Sequence, residues 1–278
     1  MLLALSATTA SAKSWRINND TRKQANFTDI NAAMASADVA AGDTLYLDPG
    51  CVLSSKQTIT KSVTVVGTGY FLPNGLVGAK INADLYIKAA GAKMNAVTIT
   101  GIVYIVNDNI TLERCMLNYR IQSSGVTRYG LTVLQCYINC SKGYSSIEGE
   151  FRNATIKNNI IRNQYRKDSY AAIYNVHDSE ISYNYLVTES CPSNHISDVI
   201  NNITNSQIYN NIIKHGSYPD RIFANTASDY NNSFYNNVVT AAEGTYSNVS
   251  NIVWLGSADV STVFAEGTDD AAYHLKEG

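Results

Sequence analysis

The sequence predicts an all-β chain: a single-stranded right-handed parallel β-helix with an N-terminal capping helix and an internal Asn ladder. Three observations predict it. A six-residue phrase recurs through the middle of the chain, Asn holds one position of most copies, and the composition favours many short strands joined by polar turns. The phrase reads LERCML from Leu112, VLQCYI from Val133, IKNNII from Ile156, ISYNYL from Ile181, IYNNII from Ile208 and FYNNVV from Phe234. Its starts lie 21, 23, 25, 27 and 26 residues apart, a period typical of solenoids. Ile, Val, Phe and Tyr give each half strand character, and the phrase is too short for a helix.

The fourth position holds Cys115, Cys136, Asn159, Asn184, Asn211 and Asn237. If each phrase is one rung, these residues stack at roughly 4.8 Å, the separation of neighbouring strands. Asn side chains in such a column hydrogen-bond to one another and to the turn backbone, and Asn tolerates the left-handed conformation of a sharp turn. Cys115 and Cys136 fit the column as small buried substitutes, and a disulfide between them would be strained by parallel, in-register geometry. An earlier phrase, ITGIVY from Ile99, begins only 13 residues before Leu112. Either its register differs, or two strands of one rung resemble each other.

The 278 residues include 19 Tyr and thirty Asn, with 16% charged residues and a net charge of −2. That balance gives no basic footprint for nucleic acid. No stretch is long enough to span a bilayer. MLLALSATTASA ends in Ala10-Ser11-Ala12, a small-residue cleavage pattern, so residues 1–12 are read as a partial signal peptide with the mature chain starting near Lys13. The expected location is secreted, periplasmic or at the cell surface. The five cysteines, Cys51, Cys115, Cys136, Cys140 and Cys191, form neither a disulfide framework nor a zinc pattern.

Residues 13–278 are read as one β-helix domain, with the cap and first rung in 26–70, regular rungs in 96–240, and C-terminal rungs, truncated, in 241–278. In Phe27–Ala37, Ile30, Met34 and Ala37 share a helical face, and Thr28 or Asp29 can cap its start. Ala41–Gly50 then reads as a strand ending in Pro-Gly, and Ile59–Gly69 as another ending in Gly. This order of helix, Gly-Asp, strand, Pro-Gly and Lys-Ser-Val-Thr-Val-Val-Gly resembles the N-terminal cap of pectin-lyase-like β-helix proteins. The resemblance runs from about Trp15 onward. It implies the fold but no single activity, because that superfamily holds lyases, hydrolases, esterases, epimerases and non-enzymatic surface proteins. The closing Ala271–Gly278 resembles the start of a phrase that ends many such domains, which implies a longer natural protein.

The resemblance does not extend to known catalytic sets. No Arg precedes any of Pro49, Pro73, Pro192 or Pro219 by two residues, and Asp168, Asp178, Asp198 and Asp220 are too dispersed to support calcium. Lys214-His215-Gly216 and Arg221-Ile222-Phe223 are partial echoes of galacturonan-hydrolase motifs. No cofactor or metal is expected. A looser constellation follows from the repeat: six positions after each phrase start come Asn118, Asn139, Arg162, Val187, Lys214 and Thr240. His215 lies one position beyond Lys214, and His177 and His195 read as surface or turn residues. Arg162, Lys214 and His215 are the candidate catalytic residues, and Tyr165, Arg166, Glu189, Tyr218 and Arg221 the candidate substrate-binding ones. Such a face suits an acidic extracellular polysaccharide, bound or cleaved with Lys, His or Tyr as base. The other reading is a non-catalytic, adhesin-like structural solenoid.

Overall fold

The computed structural model describes residues 11–70, 72, 77–164, 170–188, 199–215, 223–224, 231–239 and 249–254. Within them the chain winds through three parallel sheets of eleven, ten and nine strands, here sheets 1, 2 and 3 in the order each rung visits them. One full rung runs Thr111–Glu113 in sheet 1, Met116–Leu117 in sheet 2 and Ile121–Ser123 in sheet 3. The next begins at Thr132 and pairs in register, Leu112 beside Val133. The architecture is the expected right-handed parallel β-helix.

Alternation decides which side chains enter the core. In sheet 1 the middle residue of each triplet points inward, so Leu45, Val65, Met94, Leu112, Val133, Ile156, Ile181 and Ile208 stack as one buried column. Met94 pairs with Leu112, so the phrase before Leu112 begins at Met94 and reads MNAVTI. Ile99 is the second strand of that rung, paired with Leu117. The first alternative for ITGIVY therefore holds, and its register is shifted by five residues.

From Asn95 onward the corner between sheets 1 and 2 is two residues long. Its first residue adopts a left-handed backbone: Ala96, Arg114, Gln135, Asn158, Tyr183, Asn210, Asn236 and Asn251 all have φ between 52° and 59°. The left-handed residue is therefore the phrase's third position and not the fourth. The fourth carries the ladder. Asn184 Oδ1 accepts from the backbone N–H of Asn159 at 3.0 Å, while its Nδ2 donates to Ile156 O at 2.8 Å. Asn211 and Asn237 repeat this one and two rungs later. At the other end Asn159 Oδ1 accepts from Cys136 N, and Cys136 Sγ from Cys115 N at 3.4 Å. Both cysteines are buried free thiols, as are Cys51 and Cys140; Cys191 lies outside the described residues.

A second ladder stands at the corner between sheets 3 and 1. Ala154 N donates to Ser179 Oγ, Ser179 N to Ser206 Oγ, and Ser206 N to Asn232 Oδ1, at 2.8 to 3.1 Å. Before each of these residues sits another left-handed one: Asn153, Asp178, Asn205 and Asn231. The corners at Ala154, Ser179 and Ser206 are also two residues long. The connection from sheet 2 to sheet 3 behaves differently. It takes three residues after Leu117, six after Cys140, nine after Asn163 and eleven after Thr188. Most of the extra rung length therefore falls on that one corner.

The N-terminal end is closed as expected, with a shorter helix. It spans Ile30–Ala35, and Asp29 caps it by accepting from Ala32 N. Ile30, Ala33 and Met34 are its buried residues, whereas Ala37 lies past the helix end and is exposed. Gln57, fully buried in the first rung, offers Oε1 to the Ile30 and Asn31 N–H groups. Lys61 Nζ closes the far end by donating to Ser36 O and Val39 O. The first 10 residues of the partial leader and most of 241–278 lie outside the described residues. Among the described residues no helix is long and apolar enough to cross a membrane.

Candidate functional site

Outward residues stack as strictly as inward ones, so strand register builds surface columns. At the end of sheet 2 it aligns Asn139, Arg162, the buried Val187 and Lys214, and beside them the inward, buried Cys140, Asn163 and Thr188, followed by His215. Arg162 and Lys214 thus lie on one outward column two rungs apart, with Val187 between them. Gln164, its amide carbonyl turned toward Arg162, accepts from Nη1 at 3.0 Å. The backbone of His215 ends its strand, but its side chain lies outside the described residues, as do Tyr165, Arg166, Glu189, Tyr218 and Arg221.

A richer column stands on sheet 3, which sequence reading missed. Thr58, Tyr86, Tyr104, Gln122, Glu148, Tyr174 and Asn201 are direct neighbours along it. All are half-buried; Thr58, Tyr86, Tyr104 and Gln122 stand between two buried neighbours, and Glu148, Tyr174 and Asn201 each follow one. The Tyr86 and Tyr104 rings stack with centroids 4.4 Å apart and planes 18° apart. The Lys56 ammonium sits 5.4 Å over Tyr86. Burial pushes the Tyr104 phenol above its ordinary range, helped by Tyr86 and Asp84, so it is a neutral donor at physiological pH. From Tyr86 to Asn201 each member follows the apolar residue that opens its strand, but the members share no single residue type.

Arg120 walls this column at the corner between sheets 2 and 3. Its Nη1 makes a 2.8 Å ion pair with Glu148 Oε2, and its guanidinium carbon lies 3.5 Å from the Tyr144 ring centroid. Tyr119 meets Tyr144 edge-on at 6.1 Å, Tyr170 approaches Tyr144 at 5.9 Å, and Lys142 lies 4.8 Å over Tyr119. Burial raises the Tyr119 phenol as well, against the opposing pull of Arg120. Arg120 is only 6% exposed, yet its Nε has no hydrogen-bond partner, and neither does the buried Oε1 of Gln122. Unpaired buried polar atoms are costly and uncommon.

The column beneath the corner holds these aromatics in place. Asn163 Nδ2 donates to Tyr144 O at 3.0 Å and Ala171 O at 2.7 Å, Ser145 Oγ accepts from Ala171 N, and Cys140 Sγ contacts Lys142 O and Tyr144 O. Burial pushes the Cys140 thiol up, which marks it as structural and not nucleophilic.

Beyond Glu148 the strand bulges. Gly149 has φ of +149°, and a Cβ there would run into Ser123. The next two rungs place left-handed Asn175 and Asn202 at the bulge, with Asn202 Nδ2 donating to Asn175 Oδ1 at 2.8 Å. His177 is buried beside them and not on the surface. Its Nε2 lies 2.9 Å from Asn175 Oδ1 and its Nδ1 2.7 Å from Thr204 Oγ1. With Asn175 Oδ1 accepting, Nε2 carries the proton and Nδ1 accepts from the hydroxyl. Burial, aided by nearby Arg152, lowers the pKa of His177 and favours this neutral form. Both ring nitrogens are engaged, so this histidine supports the bulge. Among the described residues no group of three or more His, Cys, Asp or Glu is placed to hold a metal ion.

No protein-family model matches the sequence, and no curated protein matches it. Solved structures do match. The crystal structure of pectate lyase Pel9A superposes with a TM-score of 0.52 over 97% of this chain and 88% of that one, at 14% identity. A lacto-N-biosidase from Eubacterium ramulus gives a TM-score of 0.40 over 87% of this chain and 65% of that one, at 7% identity. A pectin methylesterase in complex with a hexasaccharide gives 0.39 over 89% and 82%, at 12% identity. At these identities the likeness is one of fold.

Proposed function

We propose that this β-helix binds an extracellular polysaccharide lengthwise along the outward face of sheet 3, and that it is exported to do so. One observation carries the reading: strand register lines up Tyr86, Tyr104, Gln122, Glu148, Tyr174 and Asn201 in an unbroken row beside Arg120. Successive members stand roughly 4.8 Å apart, so the row is about 24 Å long, enough for several sugar rings. Tyr rings offer apolar faces with a polar edge, and the amide, carboxylate and guanidinium supply directional bonds to hydroxyls. The fold likeness to pectate lyase Pel9A is compatible with this, as an analogy only.

Affinity electrophoresis and calorimetry against a panel of polysaccharides test it. Tyr104→Ala should weaken binding about tenfold, or ~1.4 kcal/mol, with an unchanged circular dichroism spectrum. Loss of binding in Arg162→Ala/Lys214→Ala, with Tyr104→Ala unaffected, would move the site to the sheet 2 flank. Absence of binding by the folded protein would favour the structural solenoid.

A further inference from the structure

We infer that the sheet 3 face selects a neutral glycan over a polyanionic one. The inference rests on the proposed binding role and names the class of ligand. A polyuronate or sulfated chain carries an anion on most of its sugars, so a face built for it needs unpaired cations at intervals along its length. The column from Thr58 to Asn201 holds neither Lys nor Arg, and its one charged member, Glu148, is an anion.

Two of the guanidiniums on this sheet are already matched to carboxylates, whereas Arg128 donates to Ser124 Oγ. Arg120 is paired with Glu148 at 2.8 Å; Arg152 is paired with Asp178 at 2.8 Å and lies 3.5 Å from Glu150. The Lys56 and Lys142 ammoniums lie over Tyr86 and Tyr119. An anionic ligand would have to break the Arg120–Glu148 pair and leave a carboxylate at its side, and separating a largely buried pair is expensive. A neutral ligand has no such conflict. Sugar hydroxyls can bond the half-buried, uncharged Gln122 and Tyr174 side chains while the ion pair stays intact. Stacked Tyr86 and Tyr104 add an uncharged surface next to it.

The experiment compares unsubstituted β-glucan, galactan and xylan with polygalacturonate and a sulfated galactan, at low and high NaCl. The inference expects at least one neutral polymer to bind about tenfold more tightly than either acidic one, with affinity changing less than about twofold with salt. Glu148→Gln should weaken the neutral polymer and strengthen any residual binding of the acidic ones. Preference for an acidic polymer, with a steep loss in salt and sensitivity to Tyr104→Ala, would overturn the neutral selection and leave the binding role standing. Binding of every polymer unchanged by Tyr104→Ala would overturn the binding role itself.

Discussion

At the scale of the residue, the fold depends on a few side chains that each replace several backbone partners. Asn184 is 2% exposed and serves two of them, taking the Asn159 N–H and giving to Ile156 O, and it also takes the Asn159 side-chain amide. Asn184→Ala strands a buried N–H and a buried carbonyl, at a cost of roughly 2 to 4 kcal/mol. Urea unfolding should show the loss; a change below about 0.5 kcal/mol would mean the amide is dispensable to the corner. This ladder was legible because Asn recurs at one position of a recognisable phrase. The second ladder was not, because Ala154, Ser179, Ser206 and Asn232 share no residue type. Its trace in the sequence was the Asn or Asp just before each, held left-handed. The Asn-x-Thr triplets at Asn109, Asn153 and Asn202 have the same origin, since all three asparagines have positive φ.

At the scale of the element, strands of two to six residues have little stability of their own, and the ends of the stack depend on polar closure. Asp43 joins the first strand, Ser14–Ile17, to the cap. It accepts from Lys13 N, Trp15 Nε1 and Ala40 N at 2.7 to 2.9 Å. Burial alone would raise this carboxyl, but the donors from Ala40, Trp15 and Lys13 outweigh it and hold the pKa below 3.8. A carboxyl depressed in the folded state stabilises it above the unfolded pKa, and the contribution fades as pH falls through the lower folded value. Below about pH 4 the first strand should therefore loosen before the rungs do. Trp15 emission, obtained by difference from Trp15→Phe, should shift in this range, and Asp43→Asn should show the shifted spectrum already at neutral pH. An unshifted spectrum in that variant would rule out Asp43 as the clasp. The helix was foreseen from Asp29 and its apolar face, but its end was placed too late because Ala37 matched the pattern without the packing.

At the scale of the whole molecule, the rungs from Thr132 to Thr204 hold two corners at two residues by left-handed turns and ladders, while the third is free to lengthen. Repeat spacing revealed the solenoid, and the same spacing placed Arg162 and Lys214 on one column. It could not reveal the sheet 3 face, whose members differ in type and are united only by register. Nor could it reveal the Arg120–Glu148 pair, which joins residues 28 apart. An insertion of four Gly/Ser residues between Thr188 and Val199 should lower the melting temperature by no more than about 3 °C, because lengthening a loop costs little entropy. The same insertion between Asn158 and Asn159 should lower it by about 10 °C or more, because it breaks the ladder inside the core. Equal losses at the two sites would show that no corner is privileged. A chain divided in this way confines its changes of length to one corner and leaves the ladders that hold the stack untouched. Such a protein can diversify by swapping one flank's segments while inheriting its scaffold whole, and new specificity need not be reached through an unstable intermediate.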